Sequence, residues 1–201
     1  MSKNNYQKPS NTGKKQIIYG LHAVKAALLN DKRNHYELLI TENHQKLADN
    51  YKSKIQKITL LHQKEFQKMY GSEKSTQGII LKTNDFERPN LQQFIKNENL
   101  NHKSVLLALD QITDPQNIGS IMRSCALFNC KGIIVAKDNA PDLTPSLYKA
   151  ASGAAEIVNY FRVTNLKRSI SDLKKYGYWA YGFDSSNNCK SENINFSNKS
   201  I

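Results

Sequence analysis

An α/β fold in two units is what this sequence predicts, on three observations. Short apolar runs of strand length recur along the chain, each is followed by a stretch with helical spacing, and one polar stretch divides the alternation into two rounds. Residues 1–15 are polar and are expected to form a disordered tail. "QIIYG" then reads as a strand, "LHAVKAALLN" as a helix with Leu21, Val24, Ala27 and Leu28 on one face, and "YELLIT" as a second strand. "HQKLADNYKSKIQK" reads as a polar helix, "ITLLHQ" as a third strand, "KEFQKMYG" as a short helix and "QGIILKT" as a fourth strand. These elements make a small α/β layer domain over residues 16–84.

Residues 85–103 are rich in Asn, Gln and Lys and are expected to be a linker carrying a short helix at Leu91–Ile95. A second α/β domain over residues 104–201 follows. Its expected elements are strand "VLLALD", a helix over 115–128, strand "GIIVA", a helix from about Pro145, strand "IVNYFRV", helix "LKRSISDLKKY" and strand "YWAYGFD". The continuous apolar character of "VLLAL" and "IIVA" points to a parallel sheet covered on both faces.

Composition narrows the function classes. The net charge is +12, and residues 1–85 hold 15 Lys and Arg against 7 Asp and Glu, a net +8. That bias suits docking on a polyanion, or it reflects the abundance of Lys and Asn along the whole chain. The three cysteines, Cys125, Cys130 and Cys189, lack metal-ligand spacing, so a reducing compartment and no structural zinc are expected. With no long apolar run or leader-like N-terminus, the chain reads as cytoplasmic. His22, His35, His44, His62 and His102 are scattered and form no ligand pair, "ASGAAE" is not a nucleophile elbow, and no G-x-G-x-x-G is present.

The informative stretch is "LDQITDPQNIGSIMRSCALF", Leu109–Phe128. Asp114 is a good N-cap, Pro115 suits the first helical position, and Asn129 tolerates the left-handed conformation that ends many helices. Ile118, Ile121, Met122, Cys125 and Phe128 gather on one side; Asn117, Ser120, Arg123 and Ser124 fall on the other. An arginine on such a face is commonly just solvated. Its place beyond the carboxyl end of a parallel strand, where open α/β sheets hold ligands, favours a site instead.

These residues resemble motif 1 of the SpoU (TrmH-like) branch of the SPOUT methyltransferases, an Asp-Pro-x-Asn-x-Gly-x-x-x-Arg run matched by Asp114, Pro115, Asn117, Gly119 and Arg123. "IYGLHAV" and "TQGII" resemble the start and end of the family's substrate-binding domain, and "KAASGAAEIVNYFRVTNL" resembles a later segment of its catalytic domain. The resemblance implies a ribosomal-protein-like RNA-binding domain followed by a SPOUT domain, normally trefoil-knotted. It implies transfer of a methyl group from S-adenosylmethionine to a ribose 2′-hydroxyl, with ribosomal RNA favoured over transfer RNA and no membrane partner. Arg123 then acts on the substrate, by holding a phosphate and a developing alkoxide or by taking the proton. Asn117 positions the substrate, and Lys14 and Lys15 join Arg123 in binding RNA. Glu156 either holds local structure or pairs with an arginine.

Members of this family continue with a glycine-rich motif and an S-L-N-V-S-like helix that complete the cofactor pocket, the knot and the homodimer interface. The resemblance therefore implies an incomplete SPOUT domain, cofactor-binding residues beyond Ile201, a 201-residue chain that neither binds S-adenosylmethionine appreciably nor dimerises, and an unpaired sheet edge. Two function classes stay open: a methyltransferase cut short, and a noncatalytic RNA-binding protein derived from one. The nucleotide sequence downstream of Ile201 discriminates between them.

Overall fold

A computed structural model of the chain describes residues 15–71, 76–97, 103–183 and 195–201. The first lobe contains β1 (Lys15–Tyr19), α1 (Leu21–Leu29), β2 (His35–Ile40), α2 (Gln45–Tyr51), β3 (Ile55–Leu60), α3 (Gln63–Tyr70) and β4 (Ile79–Asn84). Its sheet runs β1-β4-β2-β3, with β4 antiparallel to both neighbours and β2 parallel to β3. Alternation along β2 sends Leu38 and Ile40 into one core and Leu39 into another against Phe66 of α3.

Two expectations for this lobe need correction. The polar helix ends at Tyr51, and β3 begins at Ile55 rather than Ile58, because Ile55 is buried opposite His35 and a turn at Lys52–Lys54 closes the helix. Lys15, read as tail, is the first residue of β1 and pairs with Asn84; the tail's other residues lie outside those described.

The second lobe contains α4 (Leu91–Asn97), β5 (Ser104–Leu109), α5 (Pro115–Leu127), β6 (Gly132–Ala136), α6 (Pro145–Ala151), β7 (Asn159–Val163), α7 (Leu166–Lys175) and β8 (Lys199–Ser200). All four strands are parallel, in the order β7-β6-β5-β8. In β6, Ile133 and Val135 face α5 and α6, while Ile134 faces α4 and α7. The expected linker is thus partly a packed element: Leu91 and Ile95 are buried, and Phe94 meets Phe161 with ring centroids 5.2 Å apart. "YWAYGFD" is not a strand of the main sheet. Trp179, outside any named strand, forms an isolated parallel bridge to Ser200 of the two-residue β8, which is too short a partner for a regular ladder. Phe128 is also not in the core; it is 79% exposed, because α5 ends one residue earlier and the chain turns away.

The two lobes share their largest core, in which Ile18, Val24 and Leu28 join Met122, Leu147 and Tyr148. At its rim lies a buried ion pair. Arg33 Nε and Nη2 donate to the two oxygens of Glu156, each at 2.8 Å, and both side chains are nearly inaccessible. Arg33 also donates to Asn84 O at 2.6 Å and to Tyr148 Oη at 3.1 Å, and Asn30 Nδ2 donates to Glu156 at 2.6 Å. Burial weakens the hold of Arg33 on its proton, but the Glu156 carboxylate more than offsets this and leaves its pKa above the ordinary value. Arg88 reaches Tyr148 Oη at 2.9 Å, and its guanidinium and that of Arg33 lie 3.9 and 4.8 Å from the centre of the Phe86 ring.

His35 sits beside this junction, buried, with Nδ1 unpartnered. Burial, then the charges of Arg33 and Lys54, lower its pKa, against weaker opposing effects of Glu156 and Asp31. A neutral native histidine that must charge on unfolding contributes stability above the ordinary value of 6.5, and that contribution is lost as the pH falls below it. Denaturant titrations between pH 7.5 and 5.5 are expected to show a loss of up to ~1.4 kcal/mol per pH unit from this group. His35→Asn should flatten that part of the slope; an unchanged slope refutes the assignment.

Candidate active site

The motif helix is built as its residues dictate. Asp114 accepts from the backbone N–H groups of Gln116 and Asn117, at 3.2 and 3.3 Å, and Pro115 opens α5. At the other end, Asn129 adopts φ 55°, Cys130 N–H donates to Cys125 O at 2.8 Å and Asn129 N–H to Ala126 O at 3.4 Å. That pair of bonds is a Schellman cap. Ile118, Met122 and Cys125 are buried, so the opposite face must look outward. Burial raises the Cys125 thiol to about 12, with a further push from Cys130, which leaves it protonated and unreactive.

Gly119 fixes how close α5 comes to its neighbour. A Cβ there would sit 2.4 Å from Ala150 Cβ and 2.7 Å from the Ala150 carbonyl carbon. The motif glycine is therefore a packing device that lets α5 lie directly on α6.

At the carboxyl end of β5, the outward face borders a cleft of about 370 Å³ lined by Gln111, Thr113, Asp114, Asn117 and Ser120, with Ile112 and Ile121 as its apolar walls among the described residues. The strand order reverses beside β5, since α5 and α6 lead away to β6 and β7 while the chain returns on the other side as β8. Such a switch point is where open parallel sheets place ligands. Arg123 stands one helical turn beyond, exposed, and donates from Nη2 to Ser120 Oγ at 3.4 Å. No carboxylate among the described residues pairs with it. Asn117 and Arg123 are thus brought together through Ser120.

Other expected site residues lie elsewhere. Lys15 is exposed and lines a separate cleft between the lobes with Asp142 and Arg162, while Lys14 lies outside the described residues. Glu156 is the partner of Arg33 at the junction. Gln111 was not singled out by sequence reasoning. Its φ of 58° is unusual for a residue with a side chain, and nothing in its spacing announces it.

Comparisons with known proteins agree with this architecture. Residues 104–201 match the SpoU rRNA Methylase family, and residues 17–89 match the RNA 2′-O ribose methyltransferase substrate-binding family. A 23S rRNA (guanosine-2′-O-)-methyltransferase RlmB from Coxiella burnetii is 35% identical over 173 residues, covering 82% of this chain and 68% of the relative. The putative TrmH family tRNA/rRNA methyltransferase YacO of Bacillus subtilis is 32% identical over 175 residues, covering 84% and 69%. Among solved structures, the SpoU methyltransferase AviRb from Streptomyces viridochromogenes, in complex with AdoMet, superposes with a TM-score of 0.71 at 16% identity, over 92% of this chain and 71% of that one. An rRNA methyltransferase from Sinorhizobium meliloti gives 0.69 at 16% identity, over 94% and 70%. By sequence and by fold, the chain belongs to the SpoU rRNA Methylase family.

Proposed function

We propose that this protein transfers a methyl group from S-adenosylmethionine to a ribose 2′-hydroxyl of RNA, with ribosomal RNA, and guanosine within it, as the target. The reading rests on the juxtaposition of Asn117, Ser120 and an unpaired Arg123 at the sheet's switch point. The names of its relatives support the reaction and the substrate class. In this reading residues 16–84 bind the RNA, with Lys14 and Lys15 taking part, and residues 104–201 act on it. Among the described residues no helix is long and apolar enough to cross a membrane, and the reading places the protein in the cytoplasm.

The cleft does not by itself fit the cofactor. Cofactor pockets are lined predominantly by apolar and aromatic side chains, whereas five of this cleft's seven lining residues are polar, so these residues are assigned to the ribose side alone. There, a guanidinium has five donors and no acceptor, and it stays protonated at any physiological pH. Arg123 therefore holds an adjacent phosphate and stabilises charge developing on the hydroxyl oxygen, while Asn117 orients the ribose by hydrogen bonds.

The test is methyl incorporation into ribosomal RNA by the full gene product. Arg123→Ala is expected to lower turnover by about 10²–10³-fold. Its thermal midpoint should not move, since the side chain is exposed and makes one long hydrogen bond. Arg123→Lys, which keeps the charge but not the fork, should fall between. An alanine variant as active as the unaltered protein overturns the assignment.

A further inference from the structure

Among the described residues, four that are not glycine have positive φ: Gln77 at 59°, Gln111 at 58°, Asn129 at 55° and Ser152 at 49°. Such conformations are costly for a residue with a Cβ, so each calls for a reason. Three have one in the local structure. The Gln77 side chain accepts from Leu21 N–H at 2.8 Å and so caps α1, Asn129 closes the Schellman turn of α5, and Ser152 ends α6. Gln111 has none. It is exposed, caps no helix, and its side-chain amide makes no hydrogen bond to any described residue. A glycine would sit there without strain. Instead the backbone holds a long amide at the mouth of the cleft, two residues past the end of β5 and on the same cleft as Asn117 and Ser120.

We infer that Gln111 is a specificity-determining residue that hydrogen-bonds the base edge of the target nucleotide, an inference that rests on the function proposed above. A primary amide offers one donor face and one acceptor in a plane, the pairing that a nucleobase edge presents, and it carries no charge to compete with Arg123 for phosphate. Ribose and base are rigidly joined, so a group at the cleft mouth that fixes the base also fixes the hydroxyl that Asn117 and Arg123 must meet.

The test uses the full gene product with Gln111→Gly and Gln111→Ala. Both variants are expected to raise the KM for RNA about tenfold, the effect of losing one or two hydrogen bonds, with the KM for S-adenosylmethionine unchanged. Only Gln111→Gly should raise the thermal midpoint, by about 2–4 °C, because it alone relieves the backbone. A KM for RNA that stays put in both variants overturns the inference, and so does a change confined to the KM for S-adenosylmethionine. A rise in Gly but not Ala overturns it too, since that marks loop flexibility rather than the amide. If the unaltered protein methylates no RNA, the function proposed above fails instead.

Discussion

Replacing Glu156 with leucine is expected to lower the stability of the whole molecule by about 3–5 kcal/mol, the loss seen when one partner of a buried ion pair is removed. The reason is what remains behind. Arg33 is only 5% exposed, so its charge would stay buried facing an apolar side chain. Against a typical total of about 5–15 kcal/mol this is a large fraction, and for a chain of this size it should lower the thermal midpoint by roughly 6–20 °C. A second variant separates charge burial from packing. Arg33→Met combined with Glu156→Leu should recover part of the loss, because no charge is then stranded. Recovery stays incomplete, since Asn84 O also loses the Arg33 donor, whereas Tyr148 Oη keeps Arg88. A Glu156→Leu protein that melts with the unaltered one would show that the pair does not hold the lobes together.

Gly119→Ala should cost less stability than Glu156→Leu but should damage activity more. Two effects compete. Alanine in a helix interior is favoured over glycine by about 1 kcal/mol, whereas overpacking costs about 1–3 kcal/mol. The overlap wins, because the new Cβ meets backbone as well as a side chain, including Ala151 N at 2.8 Å, and backbone cannot rotate away. Helix α5 must then lift off α6 and carry Asn117 and Arg123 with it. A displacement near 1 Å at a reacting centre is enough to slow a reaction by about 10²-fold. Denaturation and methyl incorporation measured on the same preparation check both halves. Full activity in this variant would refute the claim that close contact between α5 and α6 positions Asn117 and Arg123.

Much of the fold was legible because its elements announce themselves locally. The Asp114–Pro115 start and the Asn129 end of the motif helix are one-residue signals, and both behave as read. Strands β5 and β6 were visible as continuous apolar runs, whereas the polar two-residue β8 was not. What could not be read were features decided by distant partners. Ile55 belongs to a strand because of His35 across the sheet, and Trp179 fails to extend a ladder because β8 is two residues long. Residues 85–97 look like a linker in composition, yet Phe86, Leu91 and Ile95 all find partners. In the candidate site, Asn117 and Arg123 were named from the motif, while Gln111 escaped notice because backbone strain leaves no mark in a sequence.

The core shared across the lobes bears on how the molecule opens. Ile18 of β1 and Leu147 of α6 are both fully buried in one cluster, so neither lobe detaches without wetting the apolar face of the other. Amide hydrogens in the middle of these two elements should then exchange through one common opening, with equal protection, although more than a hundred residues separate them in sequence. The smaller cluster behind α3 and the rung at Trp179 can open alone. By the same linkage, anything that grips the first lobe tightens the second, so RNA bound at one end of the molecule slows the breathing of the helix that carries Arg123.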